Sequence, residues 1–269
     1  MDVRGMRMRW SLGSGSSRPL ILLNGIGGNI EMLAPLRRAL EPLSTFAVDM
    51  PGSGESSVPL WPMGISSLAK LVVDGLSALG VEDFDLLGYS FGGAVAQSVA
   101  RRYPDRLRRL ILSSSTVGWG GFFSSPLAMA ELATPARYYL AQHSANHLSF
   151  GDPPEVSFEH LRRARGARPP SPIGYSFQLC AMASWSSLPW IGQISHRTLV
   201  LQGGRDTAVL PANAQLLASK MPHARLEIIE NAGHLFLMAD DASYPASRIA
   251  SFLEEAPSDQ ERDYAKCSA

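Results

Sequence analysis

The alternation of apolar and polar residues divides the chain into short, mostly apolar runs and longer stretches in which apolar residues recur every three or four positions. Uninterrupted apolar runs are typical of parallel strands covered on both faces, and the longer spacing is typical of amphipathic helices. Turn-forming Gly, Asn, Asp or Pro residues follow most of the short runs. We therefore predict strands at residues 20–23, 45–48, 84–87, 107–112, 198–202 and 226–229.

Longer periodic stretches lie between these strands and predict helices at residues 66–79, 94–103, 212–220 and 247–253. Residues 6–12 instead alternate with period two, which predicts a strand with one solvent-exposed face. Strands that alternate with helices are typical of an α/β protein. We predict a mostly parallel, doubly wound sheet with an antiparallel start.

This alternation stops between Ser115 and His196. A structureless loop of that length is uncommon in a compact domain. The segment contains helix-like stretches at 126–132 and 158–165, and it is rich in aromatic residues. We expect it to form a helical cap inserted over the sheet.

Charge and cysteine content narrow the possible functions. Lys plus Arg and Asp plus Glu number 24 each, so the formal net charge is zero and neither nucleic acid nor an anionic membrane is favoured as a partner. Cys180 and Cys267 suggest neither a disulfide framework nor a metal site. There is no signal-peptide pattern and no apolar stretch of about 18 residues. We expect a cytoplasmic protein without a transmembrane segment.

A G-x-S-x-G pattern occupies residues 88–92, between a predicted strand and a predicted helix. In this context the serine lies on a strained turn that exposes its hydroxyl at the top of the sheet. We expect Gly88 and Gly92 to be required where strand and helix nearly touch. Ser90 is therefore the candidate nucleophile, and the alternative is a glycine-rich turn with a buried serine.

A serine hydroxyl needs a base within hydrogen-bond reach, and the base needs an orienting acid. In this architecture the chain order is serine, acid, histidine, each after a strand. Asp206 follows the predicted strand 198–202, and His234 follows the strand 226–229. We predict Ser90, Asp206 and His234 as a catalytic triad. Asp49 is the rival acid, although its Asp-x-Pro-Gly setting favours a turn-organising role.

An oxyanion formed at Ser90 would need backbone donors already in place. The N–H of Phe91, directly after the nucleophile, is the first candidate. The second is the N–H of Ile26, in the glycine-rich connection that follows the strand 20–23.

The motifs at these residues resemble the α/β-hydrolase superfamily over nearly the whole chain. The segments 24–27, 102–106, 174–179 and 233–237 also resemble the intracellular depolymerases of medium-chain-length polyhydroxyalkanoates. This resemblance implies a serine hydrolase that cleaves esters between 3-hydroxyacyl units without a metal or an organic cofactor. The chain departs from that pattern in Tyr89 and Phe91, where Val and Trp are expected, and over much of 117–172.

We expect an α/β-hydrolase core at 1–116 and 196–256, the helical cap at 117–195, and a disordered tail at 257–269, where the chain is polar. The expected partner is a small or oligomeric ester, and the oligomeric state stays open. An apolar pocket could hold the acyl chain, although the same side chains would also serve as ordinary core. The candidate substrate-binding residues are Asn24, Trp119, Met182, Trp185, Trp190 and Leu235.

Two other functions are compatible with the same motifs. The triad could cleave a thioester or a C–C bond, and basic residues of the cap could then hold a substrate carboxylate. The available residues are Arg137, Arg162, Arg163 and Arg165. A non-catalytic ligand-binding protein is the third possibility, and an intact triad argues against it.

Overall fold

The computed structural model describes residues 1–14, 18–139 and 150–256. Within them, a seven-stranded sheet has the order β3-β5-β4-β6-β7-β8-β9, and a separate antiparallel pair joins β1 to β2. The strands are β1 Asp2–Val3, β2 Met6–Arg7, β3 Trp10–Ser11, β4 Leu20–Leu23, β5 Thr45–Val48, β6 Phe84–Tyr89, β7 Leu107–Ser113, β8 Arg197–Gly203 and β9 Ala224–Ile229.

The sheet is parallel from β5 to β9, and only β3 joins it antiparallel. Every residue of the central strands β4 and β6 is buried, as the mostly apolar runs indicate. The edge strand β9 is only partly covered. The predicted fold class is confirmed.

Helices flank the sheet between successive strands. Helix α3 packs against β4, β6 and β7 and against α2, whereas α1 packs against α9. Within the described residues, no helix combines the length and the hydrophobicity that a membrane span requires. The helices are α1 Ala34–Ala39, α2 Ile65–Ala78, α3 Phe91–Arg102, α4 Pro126–Leu132, α5 Ala136–Tyr139, α6 Glu159–Ala167, α7 Pro172–Ala183, α8 Pro211–Lys220 and α9 Ser243–Glu254.

The strand predicted at 6–12 is divided in two. A turn with positive φ at Arg4 and Gly5 folds β2 back onto β1, and β3 pairs separately with β5. The chain between β2 and β3 bonds instead to the 49–57 loop, since the Arg9 carbonyl accepts from Asp49 N at 3.0 Å. These contacts with the loop end the regular alternation.

Helices α4 to α7 lie between β7 and β8, in the segment predicted to form the cap. Asn29 Nδ2, beside the end of β4, donates to the Ala164 and Arg168 carbonyls at 2.9 Å each, which ties α6 to the core. Residues 140–149 of this segment and the predicted tail 257–269 lie outside the described residues. The domain boundaries at 116/117 and 195/196 therefore stay predictions.

Candidate active site

The turn between β6 and α3 is strained at the serine. Ser90 has φ 52° and ψ −115°, and its N–H donates to the Ser113 carbonyl at 2.9 Å. A Cβ on Gly88 would lie 2.5 Å from the Gly92 carbonyl oxygen, because β6 and α3 meet there. A Cβ on Gly92 would instead lie 2.2 Å from the Leu23 carbonyl oxygen of β4. Both positions therefore require glycine. Gly88 is required by the close approach of β6 and α3, as predicted, whereas Gly92 is required by the neighbouring strand β4.

The side chains of Asp206 and His234 contact each other. The Nδ1 atom of His234 lies 2.8 Å from Asp206 Oδ2, and both side chains are buried. Asp206 also accepts from Ala208 N at 2.9 Å and Val209 N at 2.7 Å, and from Gln202 Nε2 at 3.0 Å. An ionised carboxylate only accepts, so Nδ1 carries the imidazole proton and Nε2 is left as the acceptor.

The backbone of the histidine loop is held on several sides. Phe150 O accepts from His234 N at 3.0 Å, and the Tyr89 hydroxyl donates to His234 O at 2.9 Å. The Tyr89 ring also packs against the imidazole, with centroids 5.2 Å apart. These contacts link the turn that carries the nucleophile directly to the base.

Asp152 adds a second buried carboxylate beside the histidine. It accepts from Gly233 N at 3.2 Å and from Leu235 N at 3.0 Å, the residues on either side of His234. Burial raises the pKa of Asp152 to about 7, against the opposing effects of the Leu235 N–H and the imidazole, while Asp206 raises it further. No sequence pattern identifies this residue, because its hydrogen-bond partners are backbone groups distant in the chain.

A small cleft opens beside Ser90. It contains Ser90 and His234 of the predicted triad, while Asp206 lies behind the imidazole. The candidate donor Ile26 and the substrate-binding candidates Asn24 and Leu235 also line it. The lining residues are Asn24, Gly25, Ile26, Met32, Tyr89, Ser90, Leu132, Tyr138, Phe150, Arg165, His234 and Leu235.

The loop after β4 is fixed around Ile26. Gly25 N donates to Asn24 Oδ1 at 2.7 Å, and Gly27 N donates to Gln178 Oε1 at 2.8 Å. Tyr138, from α5, donates its hydroxyl to Ile26 O at 2.7 Å. Gly27 has φ 69°, a conformation that favours glycine. Ile26 thus lies in a loop held by Tyr138 and Gln178 of the inserted segment.

The amide of Asn24 has a structural role in this loop. Its Oδ1 accepts from Gly25 N, and its Nδ2 donates to Asn29 O at 2.8 Å. Asn24 lines the cleft, but both polar atoms of its side chain bond within the loop.

The other four substrate-binding candidates do not line the cleft beside Ser90. Trp119 is exposed and donates through Nε1 to the Ala183 carbonyl. Trp190 lies edge-on to the buried Trp185 and under the guanidinium of Arg101, 4.7 Å from its ring centroid. The residues concerned are Trp119, Met182, Trp185 and Trp190.

The rival acid Asp49 lies in a different network. It accepts from Ile30 N at 2.8 Å and Glu55 N at 2.9 Å and pairs with Arg9 at 3.3 Å. Burial raises the pKa of Asp49, and these N–H groups oppose the effect. Its contacts are those of a turn organiser, as its sequence setting indicates.

Among the basic residues of α6, Arg165 alone lines the cleft. Its side chain is buried, and its guanidinium lies over the Tyr138 ring at 5.8 Å from the centroid. Arg162 and Arg163 pair with the exposed Glu159 instead. The helical periodicity of the sequence could have distinguished Arg165 from the other two arginines, because Arg165 shares the buried face of the helix with Leu161 and Ala164.

The family model described as "alpha/beta hydrolase fold" matches residues 18–241. The chain belongs to the α/β-hydrolase family. It is also similar to the poly(3-hydroxyalkanoate) depolymerase of Ectopseudomonas oleovorans, with 34% identity over 95% of this chain and 91% of the relative.

More distant relatives catalyse other reactions. The 2-hydroxymuconate semialdehyde hydrolase of Pseudomonas sp. (strain CF600) is 28% identical over 90% of this chain and 89% of its own length. A crystal structure of a hydrolase from Pseudomonas aeruginosa PA01 superposes with a TM-score of 0.79 and 26% identity, covering 93% of this chain and 96% of that one. The family is therefore shared by enzymes with several substrates.

Proposed function

We propose that this protein is a serine esterase in which Ser90 is the nucleophile, His234 the base and Asp206 the orienting acid. The main support for this proposal is the 2.8 Å distance between Asp206 Oδ2 and His234 Nδ1, together with the cleft that both His234 and Ser90 line. The positive φ of Ser90 supports this assignment, because such strain persists where the surrounding structure holds a functional turn.

The reaction proceeds through an acyl-enzyme. Ser90 Oγ attacks the ester carbonyl while His234 Nε2 takes its proton, and Asp206 stabilises the imidazolium. The oxyanion accepts from the N–H groups of Phe91 and Ile26. The C–O bond then breaks, and His234 returns the proton to the leaving alkoxide. A water activated by His234 attacks the acyl carbon, which releases the acid and restores Ser90.

We further propose that the acyl groups are hydrophobic 3-hydroxyacyl units, as in oligomers of poly(3-hydroxyalkanoate). The cleft has apolar walls at Met32, Leu132, Phe150 and Leu235, which suit an alkyl side chain. The 34% identity to a depolymerase supports the same substrate class.

The segment 117–195 acts as a cap in this proposal. Its helices contribute Tyr138 and Arg165 to the cleft, and Gln178 from α7 holds the loop that contains Ile26. No metal or organic cofactor takes part in the proposed steps. We also propose a cytoplasmic location, since the exposed thiol of Cys180 is unpaired and suits a reducing compartment.

Hydrolysis of a C–C bond on the same triad is the second candidate. The buried cation Arg165 in the cleft favours it, because a guanidinium there could hold the carboxylate of an acidic diketone. The relative from Pseudomonas sp. (strain CF600) is a semialdehyde hydrolase. Esters remain the first choice, because the relative with 34% identity is named a depolymerase.

The experiment is the hydrolysis of p-nitrophenyl esters from acetyl to palmitoyl, with Ser90→Ala as the control. An optimum at medium chain length that disappears in the variant supports the proposal and leads to 3-hydroxyoctanoate oligomers. Activity on acetyl alone indicates a small-ester hydrolase. A folded protein inactive on every ester favours C–C chemistry.

A further inference from the structure

Gln178 of α7 connects the inserted segment to two loops of the sheet. Its side chain is buried, and its Oε1 accepts from Gly27 N at 2.8 Å. Its Nε2 donates to the Pro51 carbonyl at 2.9 Å and to Ser53 Oγ at 3.0 Å. Both N–H donors and the oxygen of the amide therefore have partners, which fixes the orientation of the amide. This one side chain joins the loop after β4 to the loop after β5.

Helix α7 lies against the loop after β5 closely enough to hold Gln178 in place. A Cβ on Gly174, one turn before Gln178, would lie 2.4 Å from Gly52 Cα, so neither position has space for a side chain. Ser171 N, at the start of α7, also donates to Gly52 O at 3.0 Å. Gln178 therefore reaches the loop after β4 from a helix whose own position is fixed.

The loop after β4 forms a tight turn at Ile26, the proposed oxyanion donor. Gly28 N donates to Gly25 O at 2.9 Å, which closes the turn. Gly27 has φ 69°, as the third position of a type II turn requires. A type I turn would keep the same closing bond but would turn over the peptide group between Ile26 and Gly27. The closing bond alone therefore does not fix the orientation of this peptide group.

Two side chains of the inserted segment hold this peptide group on opposite sides. Gln178 accepts from its N–H, which belongs to Gly27, and the Tyr138 hydroxyl donates to its carbonyl, Ile26 O, at 2.7 Å. Turning the peptide group over would break both hydrogen bonds and leave buried polar atoms without these partners, which is costly. The side chains thus select the observed form of the turn.

We propose that Gln178 is a positioning residue for the transition state, because it holds the turn that presents the Ile26 N–H to the oxyanion. This inference rests on the proposed ester hydrolysis. An oxyanion donor is effective only if it is in place before the charge develops, and a shift of about 1 Å can cost on the order of 10²-fold in rate. The apolar walls proposed to bind the acyl chain belong to other residues, among them Leu132 and Phe150. Loss of Gln178 should therefore weaken transition-state binding more than substrate binding.

The test replaces Gln178 with Met, which has a similar length but no amide. We expect Gln178→Met to lower kcat on p-nitrophenyl octanoate by about 10²-fold, with KM changed by less than about threefold. Asn213→Leu is the matched control. Asn213 is also buried, and its amide also bonds a loop of the inserted segment, through Phe122 N and Phe122 O at 2.9 Å each. This control should keep the native kcat.

Two inhibitors separate transition-state binding from substrate binding. Octylboronic acid forms a tetrahedral, anionic adduct with an activated serine, whereas 1-octanol needs only the apolar walls of the cleft. Gln178→Met should raise the inhibition constant of the boronic acid by at least about tenfold and leave that of octanol unchanged.

Equal increases in both inhibition constants would overturn the inference, since they would indicate a structural role. The same loss of kcat in Asn213→Leu would overturn it for the same reason. A native kcat in Gln178→Met would also overturn it, while leaving ester hydrolysis intact. A native enzyme that cleaves no ester would overturn the proposed function together with the inference.

Tyr138→Phe covers the case in which Gln178→Met does not fold. It removes one hydroxyl, and with it the hydrogen bond on the other side of the same peptide group. We expect about a tenfold lower kcat and the same selective increase in the inhibition constant of the boronic acid. Native values of both quantities would contradict the inference, because the orientation of this peptide group would then not govern the oxyanion donor.

Discussion

Replacing Asp152 with Asn should change how the stability of the protein depends on pH. Asp152 is 3% exposed and accepts hydrogen bonds from Gly233 N and Leu235 N. Burial raises its pKa to about 7 in the folded chain, from 3.8 for an ordinary Asp. Asn keeps an acceptor oxygen for these N–H groups but cannot ionise.

The raised pKa fixes the sign and size of the effect. Between pH 4 and 7 the folded chain keeps a proton on Asp152 that the unfolded chain has lost, so stability falls as pH rises. For one group with these two pKa values, the loss from pH 5 to pH 8 is about 2.5 kcal/mol. Asp152→Asn lacks this contribution, and all other titrations are shared by the two proteins.

The assay is urea unfolding of both proteins at pH 5 and pH 8, with the free energy extrapolated to water. The native chain should lose about 2.5 kcal/mol more than Asp152→Asn over this interval. The matched control is Asp240→Asn, another carboxylate that accepts two backbone N–H groups, from Glu159 and His160. Identical pH dependence in the native chain and Asp152→Asn would show that the pKa of Asp152 is not raised in the folded chain.

Three further predictions concern the catalytic turn and the triad. Ser90→Ala and His234→Ala should each lower kcat on p-nitrophenyl octanoate by about 10⁴-fold or more, with an unchanged melting temperature. Asp206→Asn should lower kcat somewhat less, and full activity in this variant would place the acid elsewhere. Gly92→Ala should lower the melting temperature by several degrees, because the new Cβ would lie 2.2 Å from the Leu23 carbonyl oxygen of β4. Thermal unfolding followed by circular dichroism measures this shift, and an unchanged melting temperature would show that the contact relaxes freely.

The main strands and the order of the candidate triad could be predicted because they depend on local signals. A continuous apolar run marks β4, and an apolar run at residues 110–112 marks the second half of β7; both strands are buried almost throughout. Parallel strands bring their carboxyl ends to one edge, so residues after successive strands lie near one another. That topology explains why Asp206 and His234 could be paired from positions 28 residues apart.

The residues that line the cleft could not all be predicted, because their positions depend on tertiary contacts that no local sequence pattern indicates. Trp119 and Trp190 have the composition of an acyl pocket, but tertiary packing directs them to Ala183 and Arg101 instead. Phe150 accepts from His234 N through its backbone carbonyl, which any residue type would supply. Asp152 accepts through its carboxylate from Leu235 N, a backbone donor that any residue type except proline would supply. Such pairings are set by the path of the chain and not by the identity of neighbouring residues.

Acylation of Ser90 can be tested by mass spectrometry of the protein after treatment with a p-nitrophenyl alkylphosphonate. Such a phosphonate reacts with an activated serine and leaves a stable adduct in place of the acyl group. We expect one adduct, located on the peptide that contains Ser90, and none on Ser90→Ala or His234→Ala. An adduct on another residue, or an unmodified native protein, would show that Ser90 is not the nucleophile.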